Sequence, residues 1–443
     1  MIKLISIALL IGITFTSCSV TRHTTPQDSK ISASLEDRLK DIPQVTQVTK
    51  MSNTDHFTEN YELWFEQHTD PSNLSSPTFR QRVLIAHVSD TSTVIVELQG
   101  YHIYTPKSGE LANLLQANQI TIEHRYFANS TPKGELNWET LTVANAAADQ
   151  HIIIAALKAA IYPKNTFIST GISKGGQTTM IHRSIYPSDV DGSVCYVAPL
   201  NFEREDPRIY TFLNSVGTQA QRDQVKAFQV MCFERKQRLL PLLQGRADAN
   251  SWQWDIDLNH AFELYVLEYS FAFWQWGAYT FTEIPKSNAT DEEILDHVLS
   301  VSGVSFFEKD GVEKQRSFFW AALTEMGIYG YESAPFKEYL TQKENYLFDF
   351  TLPNGKTPVY SKLPMKNVND FIQNRAENMI FIYGELDTWS ATGVQLSESA
   401  KERGLRKFVA KNAHHGTRIK SFPAGEREAI LRIINSWVVP VTD

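Results

Sequence analysis

Short apolar runs separated by longer stretches of helical spacing set the organisation of this chain. Runs at Tyr61–Gln67, Val83–His87, Val94–Leu98, Ile120–Glu123, Phe167–Thr170, Val194–Val197, Met379–Tyr383 and Lys407–Ala410 are short and rich in Val, Ile, Phe and Tyr. That composition and length predict strands. Between them, Thr142–Ile161 is rich in Ala with apolar residues returning at three and four, and Glu426–Val438 repeats the pattern near the end; both predict helices. Strands that are apolar throughout, alternating with helices, imply an α/β fold: a doubly wound, mostly parallel sheet covered on both faces.

The rhythm breaks between Asp206 and Lys366, where helical spacing dominates and the aromatic run Ser251–Phe281 separates two groups of strands. This segment reads as an inserted helical cap. Trp252, Trp254, Trp274 and Trp276 lie in it, most of them expected in the cap's own core, with a few facing a cleft. The expected organisation is a leader over 1–18, a polar tether over 19–55, core over 56–205, cap over 206–366 and core again over 367–443.

Composition narrows the function. The 443 residues carry 42 Lys and Arg against 50 Asp and Glu, a net charge of −8, with 42% hydrophobic and 21% charged residues. Such a chain buries a core, and its acidity without a basic cluster argues against nucleic acid as a partner. Cys18, Cys195 and Cys232 have no C-x-x-C spacing and no H-E-x-x-H occurs, so no metal site and no cofactor are expected. Cys195 and Cys232 are open to pairing or to remaining free. At the N-terminus, Lys3, the apolar run Leu4–Phe15, Thr16 and Ser17 lead to Cys18. The run is too short to span a bilayer and reads as an export signal. The cysteine at its edge predicts lipidation and a membrane anchor, an ordinary signal peptide being the alternative.

The chemistry centres on Gly171-Ile172-Ser173-Lys174-Gly175-Gly176, set between the strand-like TFIST and the helix-like QTTMIHRSIY. G-x-S-x-G on a strand-to-helix turn presents a serine at a strained tip, and the glycines let the turn close. Ser173 is the expected nucleophile, and the Lys174 N–H points where an oxyanion forms. GISKGGQT also approaches a phosphate-binding loop, but Gln177 stands where that loop needs lysine. An orienting acid and a base follow in order: Asp387, with Glu385 as the alternative, after the strand MIFIY, and His414 or His415 after KFVA.

These residues resemble a known family, the secreted tripeptidyl aminopeptidases of actinomycetes, distantly similar to prolyl carboxypeptidases. The similarity runs through FRQRV, VELQGY, IEHRYFANSTP, LTVANAAADQ, the elbow, YPSDVDGSVCYVAPLN, FLNSVGT, YGELDTWSA and HHGTRI. It implies an α/β-hydrolase fold with a helical cap and a triad of Ser173, Asp387 and His415. Leu386-Asp387-Thr388 departs from the Asn-Asp-Pro frequent in relatives, altering the turn beside the acid. The resemblance places a second oxyanion donor at the Tyr101 N–H, Gly100 being otherwise a plain strand-ending glycine. Glu123, His124 and Arg125 are expected in buried ion pairs bracing nearby loops. The expected activity is release of short peptides from free N-termini. Recognition of the α-amine calls for a cap carboxylate. Glu263 and Glu268 are five positions apart and out of phase on one helix, so at most one faces the site; Glu268 is favoured, with Trp276 walling its pocket. A carboxypeptidase-like or ester-hydrolysing enzyme with the same triad, and a silent peptide-binding lipoprotein, are the competing readings.

Overall fold

The computed structural model describes residues 33–104, 107–342 and 346–438. Nine strands form one sheet in the order β1-β2-β3-β5-β4-β6-β7-β8-β9. They are β1 (Val45–Met51), β2 (Glu59–His68), β3 (Thr78–His87), β4 (Val94–Leu98), β5 (Asn118–Ile122), β6 (Phe167–Ile172), β7 (Gly192–Tyr196), β8 (Met379–Gly384) and β9 (Arg406–Ala410). The first three are antiparallel to their neighbours, and from β5 to β9 every pairing is parallel.

The helices are α1 (Leu35–Lys40), α2 (Glu110–Leu115), α3 (Val143–Ala160), α4 (Lys174–Ile185), α5 (Arg208–Leu213), α6 (Gln219–Glu234), α7 (Lys236–Asn250), α8 (Leu258–Trp276), α9 (Asp291–Ser302), α10 (Lys309–Ala321), α11 (Leu363–Asn374), α12 (Glu398–Glu402) and α13 (Ala424–Asn435). Two apolar faces explain why the central strands show no polar alternation. Val94, Val96 and Leu98 pack with Ile153, Ile154 and Leu157 of α3, while Ile95 packs with α2. Phe381 and Tyr383 meet α4 and α11, whereas Ile380 and Ile382 meet Ile430 and Ile434 of α13. Burying both faces supplies the non-directional driving force for the layers. This is the α/β-hydrolase arrangement, a mostly parallel sheet with crossover helices on both sides.

Between β7 and α11 the chain builds the cap from α5 to α10. Phe262, Tyr265, Tyr269 and Phe273 of α8 pack with Phe228 of α6, Leu239 and Leu243 of α7, Val298 of α9 and Phe319 of α10. Trp274 is buried, Trp252 and Trp254 are half-buried against the same cluster, and Trp276 is 57% exposed. Cys195 on β7 and Cys232 on α6 are both free and buried in separate clusters, and burial pushes both thiols far above their ordinary range.

One boundary is corrected. The tether expected over 19–55 holds α1 and β1: Leu35, Leu39 and Ile42 are buried in the cluster beneath α3, and β1 pairs with β2 through Val48↔Leu63 and Lys50↔Tyr61. The sequence hides β1 because it is an edge strand whose residues are half-buried or exposed, so it lacks the period-two apolar signal, and Lys50 protects its rim. The leader and Cys18 lie outside the described residues.

Candidate active site

β6 delivers Ser173 to the C-terminal edge of the sheet, and α4 begins at the next residue. Ser173 has φ 56° and ψ −122°, a strained conformation for a residue with a Cβ. It persists because the surrounding backbone leaves no alternative. A Cβ on Gly171 would collide with the Gly175 carbonyl, one on Gly175 would come within 2.7 Å of the Leu98 carbonyl, and one on Gly176 within 2.7 Å of Ala198. The Ser173 N–H donates to the Tyr196 carbonyl at 2.8 Å, pinning the tip to β7.

Asp387 and His415 arrive on the loops after β8 and β9. The Asp387 carboxylate is fully buried; it accepts from His415 Nδ1 at 2.8 Å through Oδ2 and from the Trp389 N–H at 3.1 Å through Oδ1. This holds the imidazole in one orientation and leaves Nε2 on its opposite edge. Glu385, the alternative acid, is exposed and caps the Asn412 N–H at 2.9 Å. The two histidines divide their work. His414 Nδ1 bonds the Trp274 carbonyl at 2.7 Å and the His415 N–H donates to the Gln275 carbonyl at 2.8 Å. Together they satisfy carbonyls that the last turn of α8 leaves without helical partners and tie the cap to the histidine loop. Trp276 stands edge-on to the His415 ring, centroids 5.3 Å apart at 84°.

Ser173, Lys174, Tyr101, His415, Glu268 and Trp276 all line one cavity of about 860 Å³ between sheet edge and cap. Lys174 opens α4, so its N–H has no helical partner. Among the described residues the Tyr101 N–H likewise donates to no protein acceptor, so both are free to face an oxyanion. Glu268 is buried and accepts from Tyr329 at 2.9 Å and Tyr331 at 2.6 Å; burial lifts its carboxyl to about 8. Glu263 faces elsewhere, bound to Lys236, Tyr346 and Thr341. Gln177, which ruled out a phosphate loop, donates to the Met326 carbonyl at 3.2 Å. No cluster of metal-ligating side chains occurs among the described residues.

Sequence reasoning missed the two tyrosines on Glu268, which lie in the irregular segment IYGYES with no periodic signal, and the tie between α8 and the histidine loop. It also needs one correction. Arg125 does form a buried bidentate pair with Asp149, at 2.6 and 2.8 Å, and Glu123 accepts from Ile103 and Ser130. Among the described residues His124 makes no ion pair: it bonds the Arg125 carbonyl at 2.8 Å, and burial beside Lys174 holds it well below the usual imidazole range, hence neutral.

Among solved structures, the chain is similar to proline iminopeptidase of Mycobacterium smegmatis, 13% identical with a TM-score of 0.41 over 88% of this chain and 98% of that one. It is also similar to a thermostable carboxyl esterase of Bacillus coagulans, 11% identical with a TM-score of 0.39 over 86% and 99%. Among curated proteins it is 27% identical over 415 residues, 91% of this chain and 85% of the relative, to the prolyl tri/tetrapeptidyl aminopeptidase of Streptomyces mobaraensis. The model of the PS-10 peptidase S37 family matches residues 28–441, and the chain belongs to that family as a serine peptidase.

Proposed function

We propose that the protein is an exported exopeptidase that releases tripeptides, or peptides of similar length, from free N-termini through a Ser173-His415-Asp387 acyl-enzyme mechanism. The observation that carries this reading is the joint lining of one cavity by Ser173, the His415 of a hydrogen-bonded His–Asp pair, and the buried carboxyl of Glu268. Ser173 Oγ attacks the scissile carbonyl, His415 Nε2 takes its proton and returns it to the leaving amine, and Asp387 holds the tautomer and stabilises the imidazolium. The N–H groups of Lys174 and Tyr101 receive the charge that develops on the carbonyl oxygen. Water then releases the peptide by the same route.

Glu268 gives the enzyme its polarity. A carboxyl held near 8 is mostly neutral in the empty site at pH 7, and an arriving α-ammonium group reverses that by favouring the ionised form. The relative's name, prolyl tri/tetrapeptidyl aminopeptidase, supports the product length and points to proline at the cleaved bond. The leader and Cys18 support export and a lipid anchor.

The test uses a peptide with proline third from a free N-terminus and its N-acetylated form, with products identified by mass spectrometry. The expected result is release of the N-terminal tripeptide from the free form and little cleavage of the blocked one. Equal cleavage of both, or internal cleavage, overturns the exopeptidase reading.

A further inference from the structure

The scheme above uses the backbone N–H of Lys174 and gives its side chain no task. That side chain is 2% exposed, and among the described residues no carboxylate pairs with it. Its ammonium donates to the Gly100 carbonyl at 2.6 Å and lies 5.5 Å from the Tyr101 ring centre and 5.2 Å from that of Phe127. Burying an unpaired ammonium opposes folding. Placing one beside the nucleophile therefore calls for a reason beyond packing.

The partner of the ammonium supplies it. The Gly100 carbonyl and the Tyr101 N–H are the two ends of one planar trans peptide and point in opposite directions. Whatever fixes the carbonyl fixes the N–H. A charged donor on the oxygen also polarises the amide and strengthens the hydrogen bond its N–H can give. The same loop lies directly on the first turn of α4, because a Cβ on Gly100 would fall 2.6 Å from the Gly175 nitrogen and 2.8 Å from the Lys174 carbonyl carbon. The two free N–H groups of the site thus belong to touching pieces of backbone. Resting on the serine-peptidase mechanism proposed above, we infer that the Lys174 side chain is a positioning residue for the oxyanion hole: by donating to the Gly100 carbonyl it holds the Gly100–Tyr101 peptide so that the Tyr101 N–H faces the reacting carbonyl.

The surroundings add a pH dependence. Burial brings the Lys174 ammonium down to about 7, so the clamp is charged below that pH and weakens above it as the amine becomes neutral. The titratable groups packed about it are the Tyr101 phenol, which burial raises far above neutrality, and neutral His124. The same cavity is lined by His102, Glu268, Glu308, Lys314, His415 and Arg418. Glu268 and the substrate amine titrate in the binding step and act on KM, whereas the clamp acts on kcat.

The experiment measures kcat and KM against pH for the untreated full chain and for Lys174→Met and Lys174→Gln, and a separate sample of the parent is treated with a fluorophosphonate to establish the serine nucleophile. The expected result for Lys174→Met is a fall in kcat of about 10- to 100-fold with KM within about threefold, in keeping with a weakened oxyanion donor. Lys174→Gln, which keeps a neutral donor, falls between. The parental kcat declines above about pH 7, and Lys174→Met loses that decline. A folded Lys174→Met with parental kcat, or a loss carried by KM alone, overturns the inference. If neither variant folds, a parental kcat that stays level from about pH 6 to 9 overturns it and a decline near 7 supports it. A parent that resists the fluorophosphonate removes the serine mechanism itself, whereas a labelled parent with an indifferent Lys174→Met removes the clamp alone.

Discussion

At the scale of single residues, adjacent side chains have opposite duties. His415 holds the Asp387 hydrogen bond and faces the cavity, while His414 is committed to the Trp274 carbonyl. His415→Ala is expected to lower kcat by about three decades or more, and His414→Ala by about one decade or less, through a loosened loop. Steady-state kinetics on the folded variants decides; the reverse ranking moves the base to His414. Glu268 makes a second prediction. Its carboxyl sits near 8 in the fold against about 4.5 unfolded, so between those pH values the folded state binds the extra proton and Glu268 lowers stability as pH rises. Glu268→Gln keeps the shape without the titration. Its melting temperature is expected to gain on the parent's progressively from about pH 5 to 8, while KM for a free-amine peptide rises. A constant difference in melting temperature, or an unchanged KM, contradicts the assignment. The strained elbow at Ser173 was legible in the sequence because such a turn must use glycine where a Cβ would strike backbone, as at Gly171 and Gly175. The tyrosines on Glu268 were not, because irregular loops carry no period, and neither was the Lys174 clamp, because a lysine in sequence does not declare its burial.

At the scale of elements, the elbow and the end of α8 position the chemistry. Gly175 lets α4 start against the β4 loop, and its nearest neighbour is a main-chain carbonyl that cannot step aside. Gly175→Ala is therefore expected to destabilise the protein by about 1–3 kcal/mol and to disturb the two oxyanion N–H groups together, seen as a lowered melting temperature and a larger fall in kcat than in KM. Unchanged kcat in that variant contradicts the description of the elbow. Strands β4 and β8 were legible because each is buried on both faces and reads as a near-continuous apolar run; Val94–Leu98 coincides with β4 to the residue. β1 was not legible, since its burial repeats as one half-buried residue in three and only pairing with β2 makes it a strand. Helix geometry alone sets Glu263 and Glu268 out of phase on α8. In the fold one binds Lys236 and the other lines the cavity.

At the scale of the whole molecule, the ends of β6, β8 and β9 carry Ser173, Asp387 and His415, proposed as nucleophile, acid and base, and the cap closes the space above them with its own aromatic core. The two parts are joined at His414 and His415, so the cap and the His415 loop are coupled by construction. Among the described residues no helix is long and apolar enough to cross a membrane, and membrane partitioning is proposed to come from lipid on Cys18. Intact mass of the protein isolated from membranes is expected to match a chain starting at Cys18 with added acyl groups; a mature chain starting elsewhere contradicts it. The central claim is that Ser173 is an activated nucleophile. Treatment with a fluorophosphonate, followed by peptide mapping, tests it most directly. The account predicts one stoichiometric adduct on Ser173, with labelling and peptide hydrolysis both lost in a folded Ser173→Ala. An unlabelled active parent, or a Ser173→Ala that keeps parental labelling, would contradict it.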